Sequence, residues 1–403
     1  KTNTSITSLD ISDNCFSLVP NVENVSKAFC ANTTIRKIKF NDVYFIDHTN
    51  KGSGDETANR CFALMMRGFR HCASLVNLDV TGTFHKSKYH ELFCYTQDDH
   101  VAYFETLVIS HLPHFDFNQL RSETSLKSIE ICGNAFDKKE YVTALATSLP
   151  HLTKLEELDL NESSLSASAF TEMEDALVNL SSITYLNLMY NDIDDSNAHA
   201  IAKMMEMNRI RSLNVSSTNM TKDGLIILFH ALEHNTSLRE LNVSGIAFDD
   251  SDDDDTVSDV AEIFAKVITG HPHLDFLNVE NCFFKTSNFC RFLYALRSNI
   301  SITFAVIGNN VLGCDEFDED VACALAELVS HNKTLTYLRI DGNDGYINMS
   351  IACAERLFYV LQGNTTLEEL DLGDHHWTTE QCKRLVTPLV SLLQKNKIGR
   401  AHV

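Results

Sequence analysis

The sequence predicts an α/β solenoid, in which short parallel strands alternate with helices. Three observations predict it. A phrase of the form L-x-x-L-x-L recurs thirteen times, beginning at Ile6, Ile35, Leu75, Phe104, Leu126, Leu155, Ile183, Ile210, Leu238, Leu274, Ile302, Leu335 and Leu367. Inside the phrase the fourth and sixth positions alternate with polar residues, the period of a half-buried strand. Between phrases the apolar residues fall at helical spacing, as with Leu225, Leu228, Phe229 and Leu232 on one face of the 224–232 stretch. A unit of strand, ascending loop, helix and descending turn buries its apolar face only by stacking on its neighbours.

Taken in order, the phrases from Leu126 to Leu238 are spaced by 29, 28, 27 and 28 residues, and the spacing elsewhere reaches 40 or shrinks to 22. The repeats therefore cover about 6–375 of a single domain, 1–403, and those at 35–125 are irregular. The descending turns read Asn32-Thr-Thr, Asn235-Thr-Ser, Asn299-Ile-Ser, Asn332-Lys-Thr and Asn364-Thr-Thr. Asparagine tolerates the left-handed conformation that ends a helix, and small hydroxyl residues suit a tight turn. These turns account for many of the thirteen Asn-x-Ser/Thr sequons without glycosylation. After the last phrase, about 377–396 predicts a closing helix, interrupted near Pro388 and basic toward its end. No such cap precedes Ile6, so a preceding segment is expected to cover that edge.

The phrase, its period and its helices resemble the leucine-rich-repeat proteins of the ribonuclease-inhibitor type. That resemblance implies a horseshoe of about thirteen repeats, with a parallel sheet on the concave face and helices on the convex face. Relatives of this type include ribonuclease inhibitors, activating proteins of the Ran GTPase, sensor ends of innate immune receptors and effectors of intracellular bacterial pathogens. The ninth position, usually asparagine or cysteine, is Asn14, Asn134, Asn191, Asn310 and Asn343 here. It departs to Val43, Thr83, Leu112, Ser163, Thr218 and His375.

A formal net charge of −22, from 33 basic and 55 acidic side chains, disfavours nucleic acid and anionic membrane as partners and suits a protein with a basic surface. No apolar run approaches the ~18 residues of a membrane span. Twelve cysteines without a CxxC pair suggest neither a disulfide scaffold nor a zinc ribbon, and a reducing, cytoplasmic setting is expected.

In the numbering L1-x2-x3-L4-x5-L6-x7-x8, the x3, x5 and x7 side chains face away from the helices. The x5 column reads Asn187, Asn214, Asn242 and Asn278, with Asp159 before it and Val306 after it. The x3 column carries Tyr185, then Phe276, Phe304 and Tyr337. With Tyr190, Arg211 and Arg339 these form the candidate protein-binding surface, because exposed aromatics concentrate binding energy. Glu130, Glu156, Glu157, Asp159 and Glu162 make the earlier repeats acidic. The tracts Asp249–Asp255 and Asp315–Asp320 read as solvated loops, since neither matches a calcium-binding EF-hand loop. His90-Glu-Leu-Phe-Cys94 lacks the second histidine of a zinc-protease motif, and Cys314 and the His375–His376 pair stand in no catalytic pattern. No catalytic residue, cofactor or metal ligand is expected.

The expected function is non-enzymatic recognition of a protein on the concave face by a monomer. A standalone bacterial effector acting in the host cytosol is the favoured setting. The alternatives are a GTPase regulator, for which Arg36 and Arg121 are the only early arginines beside a phrase, and a fragment of an immune receptor's sensor.

Overall fold

The computed structural model describes residues 4–17, 19–46, 54–81, 103–110, 117–133, 136, 138–248, 259–282, 284–310, 319–341, 349–373, 375, 377–395 and 400–402. They form two compact units, Lys1–Asp192 and Ile193–Val403. Each is an alternating α/β repeat array.

The first unit runs β1 (Ser8–Asp10), β2 (Cys15–Ser17), α1 (Val19–Cys30), β3 (Lys37–Lys39), β4 (Tyr44–Ile46), α2 (Gly54–Arg70), β5 (Asn77–Asp79), β6 (Thr106–Val108), β7 (Ser128–Glu130), α3 (Lys139–Ser148), β8 (Glu157–Asp159), α4 (Ala167–Val178) and β9 (Tyr185–Asn187). Its main ladder is parallel throughout, in the order β1-β3-β5-β6-β7-β8-β9. The L4 anchors set the register: Leu9 faces Ile38, Ile38 faces Leu78, and the line continues through Leu107, Ile129, Leu158 and Leu186. Between β6 and β7 the described residues hold only a 3-10 helix at Phe117–Ser122. That pair of phrases is 22 residues apart, too few for a full helical turn-and-return. A small side ladder, β2 with β4, joins two ascending loops and was not expected from the pattern.

One buried ion pair braces this irregular part. Arg70 at the end of α2 donates to Glu123 at 2.7 Å, and its guanidinium lies 5.9 Å from the centre of the Phe104 ring. Burial pushes the Arg70 pKa down and the Glu123 pKa up, against the attraction of the pair.

The second unit runs α5 (Ala198–Glu206), β10 (Ser212–Asn214), α6 (Lys222–Glu233), β11 (Glu240–Asn242), α7 (Asp259–Gly270), β12 (Phe276–Asn278), α8 (Thr286–Ser298), β13 (Phe304–Val306), α9 (Glu319–His331), β14 (Tyr337–Arg339), α10 (Ile351–Leu361), β15 (Glu369–Asp371), α11 (Thr379–Lys395) and β16 (Arg400–His402). Its parallel ladder follows chain order, with Leu213, Leu241, Leu277, Ala305, Leu338, Leu370 and Ala401 in register. The closing helix was expected, but β16 beyond it was not. Arg-Ala-His carries no apolar phrase, and the strand is held by backbone pairing to β15. No helix among the described residues is long and apolar enough to cross a membrane.

Hydroxyls cap three of the described helices: Ser166 for α4, Thr221 for α6 and Ser350 for α10 each accept a backbone N–H of the first turn. Phenylalanines fill the second unit's core. Phe229 stacks on Phe264 at 4.5 Å, and Phe248 packs on Phe284 at 4.3 Å.

The descending turns show why asparagine recurs, and the expected left-handed backbone is not the reason: Asn235, Asn299, Asn332 and Asn364 all keep a negative φ, −69° at Asn299. In Asn235, Asn299, Asn332 and Asn364 the carboxamide is buried, and its oxygen accepts two backbone N–H groups that open the next strand. Its Nδ2 donates to a carbonyl of the preceding helix or turn: Met205, Ile268, Leu296 and Val329 respectively. The nitrogen that a glycan needs is thus engaged inside the protein. His271 takes the same place in one repeat. Its Nδ1 accepts from the His273 and Leu274 backbone N–H groups, so the ring proton sits on Nε2, which is buried without a hydrogen-bond partner.

Two predictions follow from this packing. Leu213 is 1% exposed, and Leu213→Ala should destabilise the protein by ~2–5 kcal/mol in chemical unfolding; a change below about 0.5 kcal/mol would be a surface effect. The second concerns pH. Burial, followed by the charge of His273, lowers the His271 pKa below its ordinary 6.5. The unfolded chain then binds more protons than the folded one below pH 6.5. Stability from this site is complete above that pH and falls as the pH drops through it. Urea midpoints between pH 8 and pH 5 should fall less for His271→Asn than for the parent, because asparagine keeps the acceptor at every pH; equal slopes would contradict the assignment.

Candidate functional site

The candidate surface is built by a simple rule of the repeat. L4 and L6 point into the core beside the helices, so x3, x5 and x7 stand on the opposite, open face. Leu241, for example, is 1% exposed while Glu240 and Asn242 on either side are exposed and half-buried.

The x5 column does something that the sequence did not reveal. Its side-chain oxygen accepts the backbone N–H two residues on, closing an Asx turn at the strand end. In the first unit this holds for Asp10, Asp79, Asp159 and Asn187. In the second it holds for Asn214, Asn242, Asn278 and Asp371. The asparagines are thus structural on their acceptor side. Asn187 is committed further: it is 5% exposed and donates to Asp159 at 3.0 Å. Asp159 also receives Asn161 and the Tyr185 hydroxyl, at 2.9 and 3.5 Å. Burial and this carboxylate push the Tyr185 pKa up to about 12. Burial and Asp159 likewise raise the pKa of Glu130.

The x8 column is the second rule. Asp13, Asp42, Gly133, Glu162, Tyr190, Ser217, Gly245, Asn281 and Asn309 all have positive φ, between 50° and 73°. Glycine or asparagine suits that turn; a tyrosine does not. Tyr190 nevertheless occupies it with 56% of its surface exposed.

The ninth position completes the turn. Asn191 and Asn310 accept and donate across neighbouring loops. The departures Ser163, Thr218 and His375 still donate to carbonyls, those of Ile131, Val215 and Ile340. His375 is therefore a turn residue, stacked on Trp377 at 5.3 Å.

In the second unit the x3 column places Phe276, Phe304 and Tyr337 directly opposite one another on β12, β13 and β14. The rings stack, Phe276 on Phe304 at 5.1 Å and Phe304 on Tyr337 at 3.8 Å with 4° between planes. All three are half-buried. Arg339, beside Tyr337, pairs with Asp341 and lies 3.9 Å from Glu280 and 3.8 Å from Asp371. Arg211 is exposed at x2, at the entry to β10 and off the face columns. Sequence reading missed the carboxylates around the stack, Glu240, Glu280, Asp341, Glu369 and Asp371. Aligning the columns across the register would have found them.

Among the described residues no group of histidine, cysteine, aspartate and glutamate could hold a metal ion. Arg121 donates to Thr147 at 2.7 Å, and Arg36 is exposed just before β3. The segments 82–102, 249–258 and 311–318 lie outside the described residues. They hold His90–Cys94, the Asp249–Asp255 tract, Cys314 and most of the Asp315–Asp320 tract.

The strain at Tyr190 generates a prediction. Tyr190→Gly should raise stability by about 1 kcal/mol, because the turn then needs no left-handed side-chain-bearing residue. Denaturant unfolding measures this, and a loss of stability would show that the ring is held by packing.

The family described as Leucine Rich repeat matches residues 2–18 and 179–202. The chain is similar to human "NACHT, LRR and PYD domains-containing protein 13", with 27% identity over 182 residues, 44% of this chain and 16% of that protein. It is also similar to "Leiomodin-2", with 31% identity to the human protein and 30% to that of Rattus norvegicus over 123 residues. Those matches cover 30% of this chain and 22% of each relative. The chain thus spans less than a quarter of the length of the relatives it matches. The repeated phrase, the parallel ladders with their L4 anchors in register, and these similarities agree on an α/β solenoid fold of the leucine-rich-repeat kind.

Proposed function

We propose that the chain is a non-enzymatic recognition module of the ribonuclease-inhibitor type, which binds a protein on the open face of its second unit. The observation that carries this reading is the stack of Phe276, Phe304 and Tyr337. Three aromatic rings stand half-exposed on the sheet face opposite the buried anchors, where no core requires them. Such rings contribute to interfaces out of proportion to their area. Helices of 9–13 residues in each described repeat of the second unit before α11 support the long-repeat type. Asn214, Asn242 and Asn278 border the stack, and their acceptor oxygens are already engaged. The recognition chemistry therefore falls to the rings and the carboxylates. A second reading, the sensor end of an immune receptor, draws on the similarity to the NACHT, LRR and PYD protein. It places recognition on the same face.

The test uses the chain as bait for affinity purification with mass spectrometry, followed by titration of the recovered partner. Phe276→Ala with Tyr337→Ala should weaken it by several kcal/mol. The melting temperature should move by only a few degrees, since each lost ring contact is worth ~1 kcal/mol. Unchanged affinity would remove the open face from the function.

A further inference from the structure

The columns around the stack carry a charge pattern that narrows the partner, and the inference rests on the open face being the protein-binding surface. Along x3 the register reads Glu240, Phe276, Phe304, Tyr337, Glu369. The three rings are bracketed at both ends by a carboxylate. Along x7, on one flank, stand Glu280 and Asp341, and along x5 stands Asp371.

Arg339 is the only basic side chain in these three columns from β11 to β15, against five carboxylates. It lies among Asp341, Glu280 and Asp371 and is committed to them. Arg211 and Arg239 stand at x2, outside the columns, and Asp275 and Glu368 continue that row as acids. Asp341 is 3% exposed, and its Oδ1 has no hydrogen-bond partner. A Cβ at Gly308 would overlap that carboxylate, so glycine there makes room for it. Burial and the neighbouring Asp341 raise the Glu280 pKa, against the attraction of Arg339.

We propose that this face binds a basic amphipathic segment: an apolar stretch that lies along the three rings, with lysine or arginine on both sides of it meeting Glu240 and Glu369. Adjacent strands are ~4.8 Å apart, so four steps separate the two glutamates by about 19 Å. In a helix this is about 13 residues at 1.5 Å each. Cations at the ends of the stack gain from the carboxylates and from the ring faces together. An acidic partner would meet a like-charged frame, which costs several kcal/mol.

The test pans a displayed library of random peptides, about 16 residues long, against the full chain at about 0.15 M salt. Enriched peptides should share an apolar or aromatic block flanked by lysine or arginine. A synthetic peptide of that type should bind Glu240→Lys with Glu369→Lys at least about tenfold more weakly, a loss of ~1.4 kcal/mol. The difference should close at about 1 M salt, where the Debye length is ~3 Å. The same peptide should fail to bind the Phe276→Ala, Tyr337→Ala protein. Circular dichroism melts verify that both variants fold.

Peptides without basic flanks, or affinity unchanged by charge reversal, overturn the basic-segment inference while loss of binding to the aromatic variant leaves the open face standing. Binding that survives the aromatic truncation overturns both. No enrichment at all, or a dimer of the parent that dissociates in the aromatic variant, also overturns the inference, the latter in favour of a second copy of the chain.

Discussion

The buried turn asparagine is the interaction on which the repeat depends. A helix that ends and a strand that begins within three residues leave carbonyls and N–H groups that nothing in their own repeat can satisfy. Asn299 answers both: its oxygen takes the Ser301 and Ile302 N–H groups, and its Nδ2 gives to Ile268 of the previous helix. A buried donor or acceptor left unmade costs ~1–3 kcal/mol, so each of these side chains makes one repeat a condition of the next. His271 shows how narrow the requirement is. Its Nδ1 reproduces the acceptor, but the ring places Nε2–H where no partner waits.

The same logic fixes most of the open face. On eight strands the x5 oxygen reaches the N–H two residues on, and at x8 the backbone turns left-handed. The columns that look most like a recognition surface in the sequence, a run of asparagines, are therefore largely the repeat's own hardware. Variation without structural penalty remains at x3 and x7. There the second unit has placed rings and carboxylates.

How much of this is legible in the sequence follows from what each element rests on. The L4 anchors, from Leu9 to Leu370, were readable because burial imposes a period on them. The recurrence of asparagine in the turns was readable, but its reason was not: these residues keep a negative φ, −69° at Asn299, and are held by two-sided backbone hydrogen bonding rather than by a left-handed backbone. β16 was not readable, because Arg-Ala-His holds its place through backbone hydrogen bonds that no side chain announces. The 3-10 helix at Phe117–Ser122 was foreshadowed only by a short spacing. In the candidate site the aromatic column was legible, whereas the role of Arg339 was not. Reading down one column lists it as a contact residue, while the register sets it among three acids. The burial of Asn187 beside Asp159 is likewise a cross-strand fact, invisible within one phrase.

Departures from the repeat's rules occur in both units, at x5 in Lys39 and Val108 as well as where the rings stand. The x5 oxygen is replaced by Val306 on β13 and by Arg339 on β14, the two strands whose rings stack most closely. Asp341, one position beyond β14's buried Ile340, carries an unpartnered buried oxygen. Each change lowers the local consistency that stabilises a solenoid. On the proposed reading of the open face, a bound partner would meet the departures that lie beside the rings, where the repeat's own rules are relaxed.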